Sequence, residues 1–194
     1  LRAICRFAFG LLFIFAGFIK GIDPIGTALK IKEYIGAFHL DSLDFLSIPL
    51  SLILTWAEFL IGVAILKGLK MRIFSKIALA FIITFTLLTL WIAIANPVSD
   101  CGCFGEAIHL SNKATFIKNL ILLGAALVIF FQRDKYHTIA RPKVEWGYLG
   151  IYSILIIGLQ IYSLMKIPQI DFGIYKPGTD LIARQQQYQE REYE

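Results

Sequence analysis

Two cysteines separated by a single glycine are the residues in this chain best suited to chemistry. Cys101 and Cys103 flank Gly102 in the polar segment 100–106, which reads DCGCFGE. A disulfide across one residue closes a small ring, and the strict geometry of disulfides makes such a ring strained. Strained, exposed disulfides are readily reduced, so the pair is predicted to exchange electrons with another thiol or disulfide.

Two other interpretations of the cysteine pair stay open. A purely structural bridge is one, although a bridge across a single residue restrains little of the unfolded chain and therefore stabilises little. A metal site that adds His109 and Asp100 or Glu106 is the other. This set lacks the four well-spaced ligands of a structural zinc site.

The composition of the chain indicates a protein that spans the lipid bilayer several times. Of the 194 residues, 57% are hydrophobic and 17% are charged, and the mean hydropathy is +0.69. A soluble domain of this length does not need so much apolar sequence. The net charge of +5 is concentrated in short loops beside apolar runs, which indicates membrane orientation and argues against nucleic acid as a partner.

Five apolar runs are long enough to cross a bilayer, which takes about 20 residues. They cover residues 3–19, 47–66, 73–95, 114–131 and 146–167. Ser47 is the expected N-cap of the second helix, and Ser111 or Asn112 that of the fourth. Between the first two runs, apolar residues recur at helical spacing over about 24–38, which predicts an amphipathic helix at the membrane interface.

The basic residues predict how the helices are oriented. Two connecting loops are rich in cations: Lys67, Lys70, Arg72 and Lys76 in the first, and Arg133, Lys135, Arg141 and Lys143 in the second. Basic loops stay in the cytoplasm. Five crossings then require a cytoplasmic N-terminus, which Arg2 and Arg6 also favour. The cysteine segment and residues 168–194 are expected on the outer, periplasmic face of a bacterial inner membrane, with 168–194 acting as a linker to a further C-terminal domain.

Glu58 is the second residue with potential chemistry, because it lies in the middle of a predicted membrane helix. A carboxylate at this depth is costly and normally faces the interior of a bundle. Protonation, pairing with Lys20 or Lys118, and hydrogen bonds from Thr84, Thr86 or Thr89 would each reduce the cost. Glu58 is interpreted either as a link between helices or as a proton site. Cys5, at the other end of the first helix, is interpreted as a small apolar side chain in the packing.

Three segments carry a resemblance to a known family. They are residues 15–24 (FAGFIKGIDP), residues 58–62 (EFLIG), and residues 100–105 (DCGCFG) followed by KNLILL from Lys118. Together they resemble the DoxX family and its MauE branch over residues 1–132. The resemblance implies a four-helix transmembrane bundle, with Cys101 and Cys103 as a redox pair and Glu58 as a buried acid. DoxX is associated with a thiosulfate:quinone oxidoreductase, and MauE with maturation of methylamine dehydrogenase.

The fifth helix and the tail depart from the simplest members of that family. They resemble the longer proteins of the Bacteroidetes type, which continue into a domain outside the membrane. The sequence is therefore interpreted as a four-helix bundle over residues 1–132, a basic loop and fifth helix over 133–167, and an outer linker over 168–194.

The leading functional hypothesis is an inner-membrane thiol:disulfide component. Cys101 and Cys103 would exchange electrons with an outer-side protein or with the chain's own C-terminal domain, and a membrane quinone would be the other electron carrier. The alternative hypothesis is a non-enzymatic anchor or assembly subunit that recruits a partner through its tail. A carrier centred on Glu58 is disfavoured, because the chain shows no repeated halves of the transporter type.

Overall fold

A computed structural model describes residues 2–95, 111–136 and 142–165. These residues form six α-helices and two short 3-10 helices. The α-helices are α1 (Arg2–Ile22), α2 (Pro24–Ala37), α3 (Ser47–Lys67), α4 (Met71–Ala95), α5 (Asn112–Phe131) and α6 (Pro142–Met165). The 3-10 helices are Asp41–Leu46 and Arg133–Lys135.

The predicted all-α membrane fold is confirmed. Five of the α-helices, all except α2, are long and apolar enough to cross a bilayer. The protein is therefore embedded in a lipid bilayer. Their bounds agree with the predicted spans to within a few residues. The predicted cap of α3 is wrong by one position: the 3-10 helix Asp41–Leu46 leads directly into α3, so Leu46 is the cap and Ser47 is already helical. Ser111 caps α5 through the amide of Ala114.

Helices α1 and α3 pack against each other so closely that glycine is needed at the contact. A Cβ atom added to Gly62 would lie 2.6 Å from the Ile14 backbone nitrogen, and one added to Gly17 would lie 2.8 Å from that of Phe59. Gly10 meets Leu66 in the same way, with a Cβ distance of 2.8 Å. Small residues permit such close backbone approach between membrane helices, where dispersion contacts replace the hydrophobic effect as the driving force.

Helices α4 and α5 form a second antiparallel pair that closes the four-helix bundle against α1 and α3. The core between the pairs is apolar and aromatic. Phe9 and Phe13 stack at 4.2 Å between ring centroids, and Phe13 meets the edge of Phe81 at 5.7 Å. Ile61, Ile82 and Ile129 are buried in the same cluster.

The basic segments that the structure describes lie together at one end of the bundle. The Arg72 guanidinium contacts the Asp134 carboxylate at 2.8 Å, which joins the α3–α4 turn to the segment after α5. The Tyr136 hydroxyl donates a hydrogen bond to the Arg2 carbonyl at 3.2 Å, which brings the start of α1 to the same place. We call this the basic end. Because α4 begins at the basic end and α5 ends there, Ala95 and Asn112 lie at the opposite end.

Helix α2 lies at the end of the bundle away from the basic end. The Asp23 carboxylate caps it by accepting from the Gly26 amide at 2.8 Å, and Ser51 of α3 donates to the Pro24 carbonyl at 2.8 Å. Within this helix Thr27, Ala28 and Lys30 are buried, while Ile25 is 44% exposed. The place of this helix at the membrane interface stays a prediction.

Helix α6 packs against α1 and α3 outside the four-helix bundle, and polar bonds hold it there. The Gln160 side-chain amide donates to the Leu52 carbonyl at 3.1 Å, and the Trp56 indole donates to the Ser153 hydroxyl at 3.2 Å. At the basic end, the Glu145 carboxylate accepts from the Lys70 amide at 3.1 Å. The fifth spanning helix is thus an addition to the bundle and not one of its four core members.

Candidate functional site

A buried ion pair between α1 and α3 is the centre of the candidate site. The Lys20 ammonium donates to Glu58 Oε2 at 2.6 Å, and the two residues are only 4% and 7% exposed. Lys20 lies in the last turn of α1, and Glu58 lies near the middle of α3. The close approach at Gly17, one turn before Lys20, positions the two side chains.

The sequence suggested several partners for the Glu58 carboxylate. Within the described residues, the structure shows Lys20 as its partner. The three threonines of α4 instead donate to backbone carbonyls of their own helix: Thr84 to Ala80, Thr86 to Ile82, and Thr89 to Phe85 and Thr86. Such bonds back to the preceding turn satisfy hydroxyls within an apolar surrounding. A buried pair of this kind carries a large desolvation cost, which the direct contact between the two charges opposes.

A small cavity of about 30 Å³ adjoins the ion pair. Lys20, Glu58, Lys118 and Asn119 are its polar lining residues. The rest of the lining is apolar and includes three phenylalanines: Leu12, Phe13, Ala16, Phe81, Ile82, Phe85 and Leu122. All four bundle helices contribute to it. A cavity of this size with convergent polar groups suits one ordered water molecule.

A row of polar side chains extends along one side of α5 from its first residue to the cavity. Asn112, Thr115 and Asn119 are buried, with exposures of 8%, 1% and 3%. The Asn119 amide donates to the Thr89 hydroxyl at 3.2 Å and to the Phe85 carbonyl at 3.4 Å. The Thr115 hydroxyl has no hydrogen-bond partner in the part of the chain that the structure describes. We call these three residues the polar row of α5.

A comparison with protein families bears on this arrangement. The family model described as methylamine utilisation protein MauE matches residues 1–132. This is more than half of the chain. The chain belongs to the MauE family. No curated protein and no solved structure matches it.

The MauE match covers α1 to α5, including both members of the ion pair and the polar row, and α6 lies outside it. The family relationship that the sequence suggested is therefore confirmed at the level of MauE. Whether the chain also shares the extended architecture of the Bacteroidetes type stays a prediction.

The predicted redox cysteines of this MauE-family chain, Cys101 and Cys103, lie outside the described residues, as do Asp100, Glu106 and His109 of the alternative metal site. The segment that contains them, 96–110, joins the end of α4 to the start of α5. It therefore connects at the end of the bundle opposite the basic end, where the polar row of α5 begins.

Cys5 is far from that segment along α1. Its thiol is not in a disulfide, and its side chain packs against the apolar core with Tyr136 and Leu12. This position agrees with its interpretation as a small apolar side chain.

Sequence reasoning missed several polar contacts that position the site. In the sequence Asn119 belongs only to the KNLILL run, yet its amide bridges α5 to α4 and lines the cavity. Gln160 and Glu145, which hold α6, were not singled out. A signal was present for Gln160, since a polar residue within an apolar span normally faces another helix. Nothing in the sequence pairs Glu145 with Lys70, because 75 residues separate them.

Proposed function

We propose that this chain is a membrane thiol:disulfide exchange component whose reactive groups are Cys101 and Cys103. The observation that carries the proposal is topological. The C-G-C segment connects helix ends that lie opposite the basic end, and basic segments of membrane proteins stay in the cytoplasm. The pair would accordingly face the oxidising side of the membrane, where disulfide chemistry is sustained.

The exchange follows the usual two displacements at sulfur. The Cys101 thiolate attacks one sulfur of a partner's disulfide, forming a mixed disulfide and releasing the partner's second sulfur as a thiolate. The Cys103 thiolate then attacks Cys101 Sγ, which closes the Cys101–Cys103 bridge and releases the second partner thiolate. The partner gains two electrons, and two protons pass from this chain's thiols to those of the partner. In reverse, the same steps oxidise the partner.

We propose Glu58 as the buried proton acceptor of this exchange, with Lys20 as its ion-pair partner. The polar row of α5 supports this role, because it starts where segment 96–110 joins α5 and ends at the cavity beside Glu58. Water molecules held by the hydroxyl and amide groups of such a row can hand a proton along it. The buried Thr115 hydroxyl is one group that a water molecule would satisfy.

A quinone has no step in this proposal. The exchange between thiols and disulfides is complete without it, and a quinone as the further electron carrier stays a prediction.

Trapping of a mixed disulfide tests the exchange. In Cys103→Ser, the second displacement is blocked, so a disulfide between Cys101 and a partner protein should accumulate in non-reducing gels. Cys101→Ser/Cys103→Ser should trap nothing, and Cys5→Ser should behave like the parent. Absence of any partner-linked species in Cys103→Ser would contradict the exchange. Full activity of the double variant in its host would then favour the alternative, a non-enzymatic anchor that recruits a partner.

The role of Glu58 has a separate readout. Glu58→Gln should still form the mixed disulfide in Cys103→Ser, but the pH profile of the exchange rate should change, because one proton acceptor is lost. An unchanged pH profile with a correctly folded Glu58→Gln protein would assign Glu58 to packing alone and leave the cysteine proposal intact.

A further inference from the structure

We propose that Arg2, Arg6 and Tyr136, at the basic end, form a binding site for the phosphate of an anionic phospholipid. Arg2 and Arg6 lie at the start of α1, whereas Tyr136 follows α5. The fold therefore brings together residues that are far apart in the sequence. Both guanidinium groups lie on the Tyr136 ring, at 5.5 Å for Arg2 and 5.4 Å for Arg6 from the ring centroid. The Tyr136 hydroxyl is bonded to the Arg2 carbonyl, which ties the ring to the first turn of α1.

The charges around this cluster are not balanced within the described residues. Two carboxylates lie at the basic end, and each already has a cation. Asp134 is paired with Arg72 at 2.8 Å, and Glu145 is paired with Lys70 at 3.6 Å. Arg2 and Arg6 make no ion pair with any described carboxylate. Two like charges on one aromatic ring repel each other, so an anion bound between them would be stabilised by both.

The hydrogen bonding of Arg6 also favours a bound anion. The Nε atom of Arg6 is buried, yet it has no hydrogen-bond partner among the residues that the structure describes. A buried donor without a partner is uncommon and costs free energy. Guanidinium groups present a planar fork of N–H donors that matches the oxygens of a phosphate, which a lysine ammonium does not. A phosphate between the two guanidinium groups would bring oxygen acceptors next to this donor.

The surface next to the cluster favours a lipid over a soluble phosphate. Ile4, Phe7 and Leu11 recur at helical spacing along α1 and are 70%, 49% and 56% exposed. The Arg6 guanidinium lies over the Phe7 ring at 5.3 Å. An apolar track therefore begins beside the arginines and continues toward the middle of the membrane, as the acyl chains of a bound phospholipid do. The ends of membrane helices lie at headgroup depth, where basic residues attract anionic lipids.

Binding of defined lipids to the purified, delipidated protein tests the site. The probes are phosphatidylglycerol and phosphatidylcholine with identical acyl chains, measured by native mass spectrometry and by thermal unfolding in detergent. The protein should retain phosphatidylglycerol in preference to phosphatidylcholine. Arg2→Gln/Arg6→Gln should weaken phosphatidylglycerol binding by roughly 30-fold, on the basis of the usual contribution of two arginines near an anionic surface.

The matched control is Lys76→Gln/Lys135→Gln, which removes the same charge from two exposed positions at the same end. It should weaken binding by much less, because neither lysine is held on Tyr136. Arg2→Lys/Arg6→Lys keeps the charge but loses the fork, and should bind with intermediate affinity. Circular dichroism and gel filtration establish that each variant is folded.

Three results would overturn the proposal. Equal binding of the two lipids, which share the phosphate and differ in net charge, would remove the preference for an anionic phospholipid. Equal losses in the arginine and lysine variants would reduce the effect to net charge. Inorganic phosphate that stabilises the protein as strongly as phosphatidylglycerol would assign the site to a soluble ligand.

Discussion

Lys20 and Glu58 form a 2.6 Å ion pair between α1 and α3, in which both side chains are more than nine-tenths buried. The pair joins the two helices at the point where all four bundle helices line a cavity of about 30 Å³. Each charge depends on the other, since both side chains are largely removed from bulk water. This mutual dependence determines how the protein should respond to substitution.

Removal of one member of the pair should destabilise the fold strongly. Lys20→Met leaves a buried carboxylate without its cation, and the free energy of unfolding should fall by about 3–5 kcal/mol. Lys20→Met/Glu58→Leu, which replaces both charges by apolar groups, should recover most of that loss. Thermal unfolding in detergent measures both. A double variant as unstable as the single one would show that the pair is not the source of the effect.

The glycine contacts between α1 and α3 should tolerate no larger residue. Gly62→Ala places a Cβ atom 2.6 Å from the Ile14 nitrogen, and the forced separation of two backbones should cost about 1–3 kcal/mol. Gly124→Ala in α5 is the control, because no atom lies within 4 Å of its added Cβ. The control should be neutral or slightly stabilising, as alanine favours helix. Equal unfolding temperatures for the two variants would contradict the close packing.

Glu145 should anchor the start of α6. Glu145→Ala removes the acceptor of the Lys70 amide and a partner of the Lys70 ammonium, so hydrogen exchange should accelerate in the first turns of α6 while α1 to α5 stay protected. A bond to a charged group contributes about 1.5–3 kcal/mol. Asp134→Ala, which breaks an exposed pair with Arg72, should change exchange little. Uniform acceleration over all helices would indicate that α6 is not a separable addition.

The cysteine segment and the basic end should react from opposite sides of the membrane. In a Cys5→Ser background, Cys101 and Cys103 should be labelled by a membrane-impermeant maleimide in right-side-out vesicles. A Lys135→Cys reporter, in a chain whose three natural cysteines are serine, should be labelled only in inverted vesicles. Labelling of both from the same side would contradict the orientation on which the exchange proposal depends.

Tyr136 should ionise at unusually high pH. Burial raises the pKa of its phenol above the ordinary value of 10.0, and the nearby Arg2 and Arg6 charges oppose that shift without cancelling it. Because the folded pKa is the higher one, the contribution of Tyr136 to stability is present below pH 10.0 and is lost as pH rises through the folded pKa. The difference in tyrosinate absorbance between the parent and Tyr136→Phe measures this ionisation. Arg2→Gln/Arg6→Gln should move it to still higher pH.

The spans of the membrane helices could be predicted because bilayer thickness imposes a minimum apolar length, which is a local property of the sequence. The cap at Ser111 is equally local. The clustering of the basic segments at one end followed from counting crossings, which needs no three-dimensional information. By contrast, the apolar periodicity of α2 did not reveal its polar contacts, which are the cap at Asp23 and the hydrogen bond from Ser51 to the Pro24 carbonyl.

The sequence by itself determined that this is a five-span membrane protein with a dithiol segment between two helices and an acid within a third. Only the tertiary structure decided that Glu58 pairs with Lys20 and not with α4, that Asn119 bridges α5 to α4, and that Arg2 and Arg6 meet on Tyr136. Those contacts join residues 30 to 134 positions apart. They depend on how closely glycines let helices approach and on which polar groups the bundle leaves without water, and neither is encoded in a local pattern.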